Sequence, residues 1–232
     1  PGADSIPARL HQAMRYATLG GGKRIRALLC LATAQALGGQ PQAALRAACA
    51  LEMIHAYSLV HDDMPCMDND NLRRGKATVH IAWNEAIALL AGDTLQARAF
   101  EVLTPSADEV PPALQAVLCR LLAQAAGQTG MCGGQAIDLL SVGQALSQAE
   151  LENMHRLKTG ALLEAAVMMG AACAECVDAA QRKQLQSYAR HLGLAFQVVD
   201  DVLDCTGDTA TLGKTAGKDA DADKPTYVAL LG

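Results

Sequence analysis

Aromatic side chains are scarce in this chain: of 232 residues, two are Phe, one is Trp and four are Tyr. Hydrophobic residues nevertheless make up 51% of the chain, so most of them are small or aliphatic. Charged residues make up 19%, and neither fraction resembles that of a disordered segment. A chain of this length can bury most of its surface in one core. The composition therefore favours a single helical domain.

Two further shortages exclude classes of function. Lys and Arg number 19 against 24 Asp and Glu, and the net charge of −5 argues against a nucleic-acid-binding surface. The longest uncharged stretch, Ala27 to Leu45, is interrupted by Gln, Gly and Pro, so we expect no membrane span. The function must therefore depend on local clusters of side chains.

The eight cysteines are scattered through apolar, helix-like sequence and do not form a loop-rich disulfide framework. We expect reduced thiols in a cytoplasmic protein. Cys173 and Cys176 have the spacing of half a zinc site, but no second such pair exists in the chain. We interpret them as ordinary small core residues.

Apolar residues recur at helical spacing almost throughout, and no run alternates long enough to predict a sheet. The sequence predicts an all-α protein. Pro41 and Pro112 suit first helical turns, and Ser147 with Glu150 has the form of a capping box. The predicted helices are approximately 8–19, 23–37, 41–64, 83–103, 111–127, 131–140, 148–173 and 178–204, with another start near 225. No repeat or linker divides them, so we assign residues 1–232 to one domain.

Two acidic groups are the sharpest local features. The first lies between Asp62 and Asp70, and the second comprises Asp200, Asp201 and Asp204. Gln197 and the three aspartates of the second group fall at helical spacing on one face, as do His55 and Asp62 on another helix.

Carboxylates that share a helix face repel one another, so a cation is their natural counterpart, and ligation by oxygen alone favours magnesium. Each group taken alone could instead be a solvated helix end. A calcium-binding EF-hand beginning at Asp68 is excluded, because Arg73 and Val79 occupy the positions of its Gly and Glu.

A glycine-rich basic loop, Gly20-Gly-Gly-Lys-Arg-Ile-Arg26, leads into the second predicted helix. It is not a Walker A loop, because Ala17 stands where that motif needs Gly and Arg24 follows the lysine. Backbone amides beside a helix start, together with Lys and Arg, still suit a diphosphate. The alternative is a basic helix start that faces water.

Taken together, these motifs resemble those of the trans-isoprenyl diphosphate synthases, and most closely the bacterial farnesyl diphosphate synthases. The resemblance runs from Leu19 to the last residue. It implies the isoprenoid synthase fold, a bundle of mostly antiparallel helices around a deep central cavity, usually in a homodimer. Relative to that family the chain is short at both ends, and we expect a longer protein. The matching segments are Gly21–Arg26, His55–Asp63, Asp68, Leu72–Gly75, Gly133–Gln135, Lys158–Gly160, Gln197–Asp201 and Gly213-Lys214.

The resemblance also implies a role for each matching side chain. Three magnesium ions are expected to be held by Asp62, Asp63, Asp68, Asp200, Asp201 and Asp204. The allylic diphosphate is expected on Arg73, Lys158 and Lys214, and the diphosphate of isopentenyl diphosphate on Lys23, Arg26, His55 and Arg74. Thr159, Gln197 and the main-chain carbonyl of Lys158 are expected to face the developing allylic cation, with Gln135 in support.

The implied enzyme is a prenyltransferase that joins the two diphosphates and releases farnesyl diphosphate. Tyr57, five residues before Asp62, is expected to floor the cavity and limit product length, with Ser58 as the alternative. Two other interpretations stay open: a geranylgeranyl diphosphate synthase, and a non-catalytic subunit of a heteromeric synthase. A terpene cyclase is disfavoured, because it has no use for the basic residues expected to bind isopentenyl diphosphate.

Overall fold

The computed structural model describes residues 7–144 and 146–206 of the chain. This part is almost entirely helical, with one very short antiparallel hairpin that pairs Leu72 with Ala77 and Arg73 with Lys76. The helices are α1 (Ala8–Leu19), α2 (Ile25–Ala36), α3 (Pro41–Asp62), α4 (Val79–Ala82), α5 (Glu85–Leu103), α6 (Pro112–Ala126), α7 (Met131–Leu140), α8 (Gln148–His155), α9 (Ala161–Ala172) and α10 (Ala179–Thr206). The strands are β1 (Leu72–Arg73) and β2 (Lys76–Ala77). A π-helical turn, Arg156–Gly160, joins α8 to α9.

The all-α prediction is confirmed, and most helix bounds agree with it to within two residues. The capping box of α8 is present, with Ser147 and Glu150 bonded reciprocally. Three details were missed: the hairpin, the four-residue helix α4, and the π-helical turn that interrupts the predicted helix 148–173. A hairpin of two-residue strands is too short to produce an alternating pattern, and a π-turn leaves helical periodicity nearly unchanged. The predicted start near 225 lies outside the described residues.

Small residues allow the central helices to approach closely. α3 packs against α2 and α5, α2 packs against α9, and α10 lies against α9. Gly170 on α9 illustrates the requirement, because a Cβ there would overlap the backbone carbonyl of Cys30 on α2. Many buried positions of α3 are alanines, so the backbones meet without bulky side chains between them.

α3 is long and apolar enough to cross a membrane by length and composition alone. However, 56% of its most apolar window is buried inside the protein. A helix at the centre of a bundle must be apolar on most sides, so we interpret α3 as a core helix.

The seven cysteines whose side chains the structure describes, which exclude Cys205, are free thiols. Cys173 is buried at the end of α9 and donates a hydrogen bond from Sγ to the carbonyl of Met169, at 3.2 Å. Cys176 is exposed in the following loop. The Sγ of Cys173 is thus bonded within its own helix end.

Candidate active site

A cavity of about 390 Å³ opens between α3, α7 and the π-helical turn. Its walls are mostly apolar, and Met67, Met131 and Leu139 contribute to them. Residues that the sequence singled out make up much of the remaining wall: Arg26, His55, Tyr57, Ser58, Asp62, Gln135, Lys158 and Thr159. The fold thus gathers around one cavity side chains that are more than 130 positions apart in sequence.

The first aspartate motif folds back on the end of α3. The helix ends at Asp62, and the following loop returns so that the amide of Asp68 donates to the carbonyl of Asp62 at 2.9 Å. From the facing helix α7, Gln135 donates from Nε2 to Oδ1 of Asp62 at 2.5 Å. The loop therefore brings Asp62 and Asp68 together, and Gln135 orients the Asp62 carboxylate.

Asp63 points away from the cavity and is only 3% exposed. It accepts hydrogen bonds from Nε of Arg73 at 3.0 Å and from its Nη2 at 2.5 Å, and it lines a smaller adjoining pocket with Arg73. Burial raises the pKa of Asp63 to about 6, against the lowering effect of Arg73. Asp63 is thus engaged with Arg73, and its role as a metal ligand stays a prediction.

The hairpin carries Arg73 and Arg74, which have different partners: Arg73 bonds Asp63 and Arg74 bonds the glycine-rich loop. Arg74 occupies the left-handed region with φ of 54°, and its guanidinium donates to the carbonyl of Gly21 at 2.5 Å. Gly22 is needed for this contact, because a Cβ there would lie 2.6 Å from the guanidinium carbon of Arg74. Arg74 is therefore held against the glycine-rich loop, beside the start of α2.

Arg26, His55 and Arg74 form a basic cluster at one end of the cavity. Burial lowers the pKa of Arg26 to about 10, with Glu52 acting in the opposite direction. The pKa of His55 lies well below its usual value because of burial and then the charge of Arg26 and its neighbours. Among the described residues, no group bonds the buried Nε of Arg26. Such a cluster suits a multivalent anion, while Lys23 lies exposed beside it.

Glu52 supports the basic loop, and the sequence motifs did not point to it. Its carboxylate accepts hydrogen bonds from Nη1 of Arg24 at 2.9 Å and from the amide of Ala27 at 3.3 Å. Arg24 adopts a φ of 53°, so this contact holds a strained residue at the start of α2. The available signal was its position three residues before His55 on α3. Glu52 thus anchors the loop that carries the basic cluster.

The π-helical turn packs directly on α7. A Cβ at Gly134 would overlap the backbone nitrogen of Lys158, which explains the glycine in that segment. Lys158 donates from Nζ to Oδ2 of Asp138 at 2.7 Å, and Asp138 is only 3% exposed. Asp138 was also missed, although it lies three residues after Gln135 on the same helix. α7 therefore orients both Asp62 and Lys158.

A hydrogen bond joins α10 to the π-helical turn: Thr159 donates from Oγ1 to Oε1 of Gln197 at 3.1 Å. Thr159 also lines the cavity, and the expected role of the two oxygens toward an allylic cation stays a prediction. Asp200 is exposed one turn further along α10. The side chains of Asp201 and Asp204, and all of Lys214, lie outside the described residues.

The carboxylates at the end of α3 are oxygen donors of the kind that magnesium prefers. Within residues 7–144 and 146–206, no three Asp, Glu, His or Cys side chains converge on one point. Magnesium is commonly held by one or two carboxylates together with water and substrate phosphates, so converging protein ligands are not required. The carboxylates at the end of α3, beside a cavity bordered by basic groups, fit such a metal.

The chain is similar to known proteins over most of its length. The family model described as Polyprenyl synthetase matches residues 7–232. A farnesyl diphosphate synthase of Haemophilus influenzae is 51% identical over 232 residues, which cover 100% of this chain and 78% of that protein. A chloroplastic geranylgeranyl pyrophosphate synthase of Capsicum annuum is 49% identical over 227 residues, covering 97% of this chain and 61% of that protein.

The fold has solved counterparts. A geranyltransferase of Helicobacter pylori, in complex with magnesium and isoprenyl diphosphate, superimposes with a TM-score of 0.91 at 35% sequence identity. The match covers 100% of this chain and 77% of that one.

Proposed function

Because this chain belongs to the polyprenyl synthetase family, we propose that it is a trans-prenyltransferase. It condenses isopentenyl diphosphate with an allylic diphosphate, dimethylallyl or geranyl, and forms farnesyl diphosphate. Bacterial relatives with that activity in their names are about half identical to this chain over its whole length.

One observation carries the proposal: a single apolar cavity is bordered by Asp62 and also by the basic pair Arg26 and His55. Two diphosphates need two kinds of recognition if they are not to exchange places. A metal-bound diphosphate suits the carboxylate side, and a metal-free diphosphate suits the guanidinium side. The apolar wall between them accommodates the hydrocarbon parts of both substrates.

Three magnesium ions would be held by Asp62, Asp68 and the aspartates of α10. They would neutralise the charge of the allylic diphosphate and so make it a better leaving group. Lys158 lies at the same cavity and adds positive charge to that diphosphate as its C–O bond breaks, with Arg73 approaching from the hairpin. Charge that develops in the transition state is stabilised more than the bound substrate, so these contacts raise the rate.

The chain's remaining groups handle the carbocation. Thr159 and Gln197, which are hydrogen-bonded to each other, would turn their oxygens toward the carbon that loses diphosphate. The double bond of isopentenyl diphosphate attacks that carbon, a carbon–carbon bond forms, and the new cation loses a proton to the departed diphosphate. No protein base is required. The apolar wall excludes water, which would otherwise trap the cation as an alcohol.

Geranylgeranyl diphosphate is the second candidate product, because relatives named for it are nearly as similar to this chain. Tyr57 favours the shorter product, since its buried ring occupies part of the cavity. The test is incubation with isopentenyl and geranyl diphosphates plus magnesium, followed by chromatography. We expect a fifteen-carbon product. A mainly twenty-carbon product would instead identify a geranylgeranyl diphosphate synthase. The absence of any condensation product would overturn the whole proposal and favour a non-catalytic subunit.

We further propose that the protein is a cytoplasmic homodimer. α5 exposes Leu89 and Leu90, at 47% and 50%, on a face that the described residues leave uncovered. Sedimentation equilibrium should give twice the mass of one chain. The reduced thiols agree with a cytoplasmic location.

A further inference from the structure

Two polar contacts tie α3 to α7 at successive levels of the cavity. At the polar level, Gln135 bonds Asp62. At the second level, Oη of Tyr57 lies 3.4 Å from Sγ of Cys132, and both residues line the cavity. Tyr57 precedes Asp62 by five residues and Cys132 precedes Gln135 by three, so the second contact lies about 5 to 8 Å further along both helices.

The ring of Tyr57 is fixed from its other side as well. It packs edge to face on His61, with ring centroids 5.6 Å apart and an interplanar angle of 77°. Nε2 of His61 lies 3.0 Å from the carbonyl oxygen of Leu89, and a Cβ at Gly92 would overlap the imidazole. α5 thus supports His61, and His61 supports the phenol ring. The ring cannot retreat toward α5 without displacing this stack.

The hydroxyl group therefore determines the remaining freedom of the ring. Tyr57 is 6% exposed, and a buried phenol hydroxyl strongly favours positions where it has a hydrogen-bond partner. Cys132 supplies that partner from the opposite wall. While the contact persists, the ring stays across the cavity. Without it, the hydroxyl lowers its free energy by turning toward another hydrogen-bond partner.

We propose that Cys132 is a positioning residue for product length, whose thiol holds the Tyr57 hydroxyl so that the ring blocks extension of a fifteen-carbon allylic chain. The inference rests on the proposed prenyltransferase function and adds a second residue to the control of chain length. An additional five-carbon unit needs space that the ring occupies, and well-packed interiors contain few spare voids.

The test compares Cys132→Ala with Cys132→Ser and with Tyr57→Phe. Each protein receives labelled isopentenyl diphosphate and geranyl diphosphate plus magnesium, and the ratio of twenty-carbon to fifteen-carbon product is measured, so that a general loss of rate cancels. We expect Cys132→Ala to raise the ratio about fivefold. Since about 1.4 kcal/mol corresponds to a tenfold change, a fivefold change corresponds to the net contribution of one ordinary hydrogen bond. Cys132→Ser retains a hydroxyl partner and should stay near the parent ratio.

The double variant separates the hydrogen bond from simple loss of volume. Tyr57→Phe alone should raise the ratio as Cys132→Ala does, and adding Cys132→Ala to Tyr57→Phe should change it no further. If Cys132→Ala raises the ratio equally in both backgrounds, the thiol acts by volume and the proposal is overturned. The proposal also fails if Cys132→Ala leaves the ratio unchanged, or if Cys132→Ser matches Cys132→Ala.

Controls distinguish this inference from the proposed function. Cys176→Ala removes an exposed thiol away from the cavity and should leave the ratio unchanged. Circular dichroism confirms that each variant is folded. If the parent forms no condensation product at all, the proposed function fails and the inference fails with it. Normal condensation with an unaltered ratio in Cys132→Ala overturns the inference alone.

Discussion

Lys158 and Asp138 form an ion pair that connects the π-helical turn to α7, with Nζ 2.7 Å from Oδ2. The carboxylate is buried, and Lys158 is one of the residues that line the cavity. Neither the position of Asp138 nor its charge belongs to a motif that the sequence made prominent. The pair fixes the direction of the lysine that the proposed mechanism places against the allylic diphosphate.

Asp138→Ala should lower both stability and turnover. Removal of a buried charge partner leaves Lys158 without its anchor, at a cost of about 1–3 kcal/mol in the free energy of unfolding. Urea unfolding and steady-state kinetics measure the two effects. Asp138→Asn keeps an acceptor without the charge and should be intermediate. Unchanged kinetics in the alanine variant would show that Lys158 needs no anchor.

Asp62→Ala and Asp201→Ala should each reduce turnover by several orders of magnitude and leave the helical fold nearly intact. Both carboxylates are assigned to a metal-stabilised transition state and not to a packed core. Product assays and circular dichroism test this. Asp108→Ala, in an exposed loop, is the matched control. Activity within tenfold of the parent would remove the metal assignment.

Lys23→Ala and His55→Ala should raise KM for isopentenyl diphosphate much more than KM for the allylic substrate. Both are assigned to the site of the metal-free diphosphate, where direct charge-assisted hydrogen bonds are expected to bind it. Initial rates with each substrate varied in turn measure the difference. Equal losses for the two substrates would contradict the proposed division of the cavity.

His55→Gln should reduce the decrease in the free energy of unfolding at acid pH. The pKa of His55 is lowered by burial and by neighbouring guanidinium groups, so below pH 6.5 the unfolded chain binds a proton that the folded protein does not. The free energy of unfolding therefore decreases as pH falls from 6.5, by up to about 1.4 kcal/mol per unit. The raised pKa of Asp63 acts in the opposite sense but is common to both proteins. The free energy of unfolding, measured with urea at pH 5.5 and 7.5, should differ less between the two pH values in the variant than in the parent. An identical difference would exclude His55 as the source of this pH dependence.

Tyr57→Ala should shift the products toward twenty carbons or more without loss of condensation. Removal of the ring opens the second level of the cavity. Chromatography of the products from geranyl diphosphate measures the shift. Ser58→Ala removes a half-buried hydroxyl one residue away and should retain the parent distribution. An unchanged distribution in Tyr57→Ala would move the floor to Ser58 or to a facing helix.

The sequence predicted the helices well because their signals are local. Periodicity, Pro41 at the start of α3 and the Ser147 capping box each act within one or two turns. It also predicted that His55 and Asp62 share a face, and both line the cavity. The hairpin and the π-helical turn were missed because neither alters local periodicity enough to be recognised.

The side-chain contacts within the site were much harder to predict from the sequence. The basic loop, the aspartate motif and the segment containing Lys158 were recognisable as pieces, since charge and glycine spacing are properties of short segments. Their partners were not: Glu52 beneath Arg24, Asp138 beside Lys158, and Cys132 opposite Tyr57 are single residues of common types. No spacing rule singles out such a residue.

The sequence by itself thus determined the helical class, the chemistry of each motif and the end of each helix at which the charges lie. Only the tertiary structure decided that Asp63 turns to Arg73 while Asp62 meets Gln135, and that Tyr57 is held by a thiol 75 positions away. The physical reason is that a buried polar group must find a partner among whatever the packed helices bring within 3 to 4 Å. That proximity arises because the fold places α3 and α7 on facing walls of one cavity, which neither segment encodes alone.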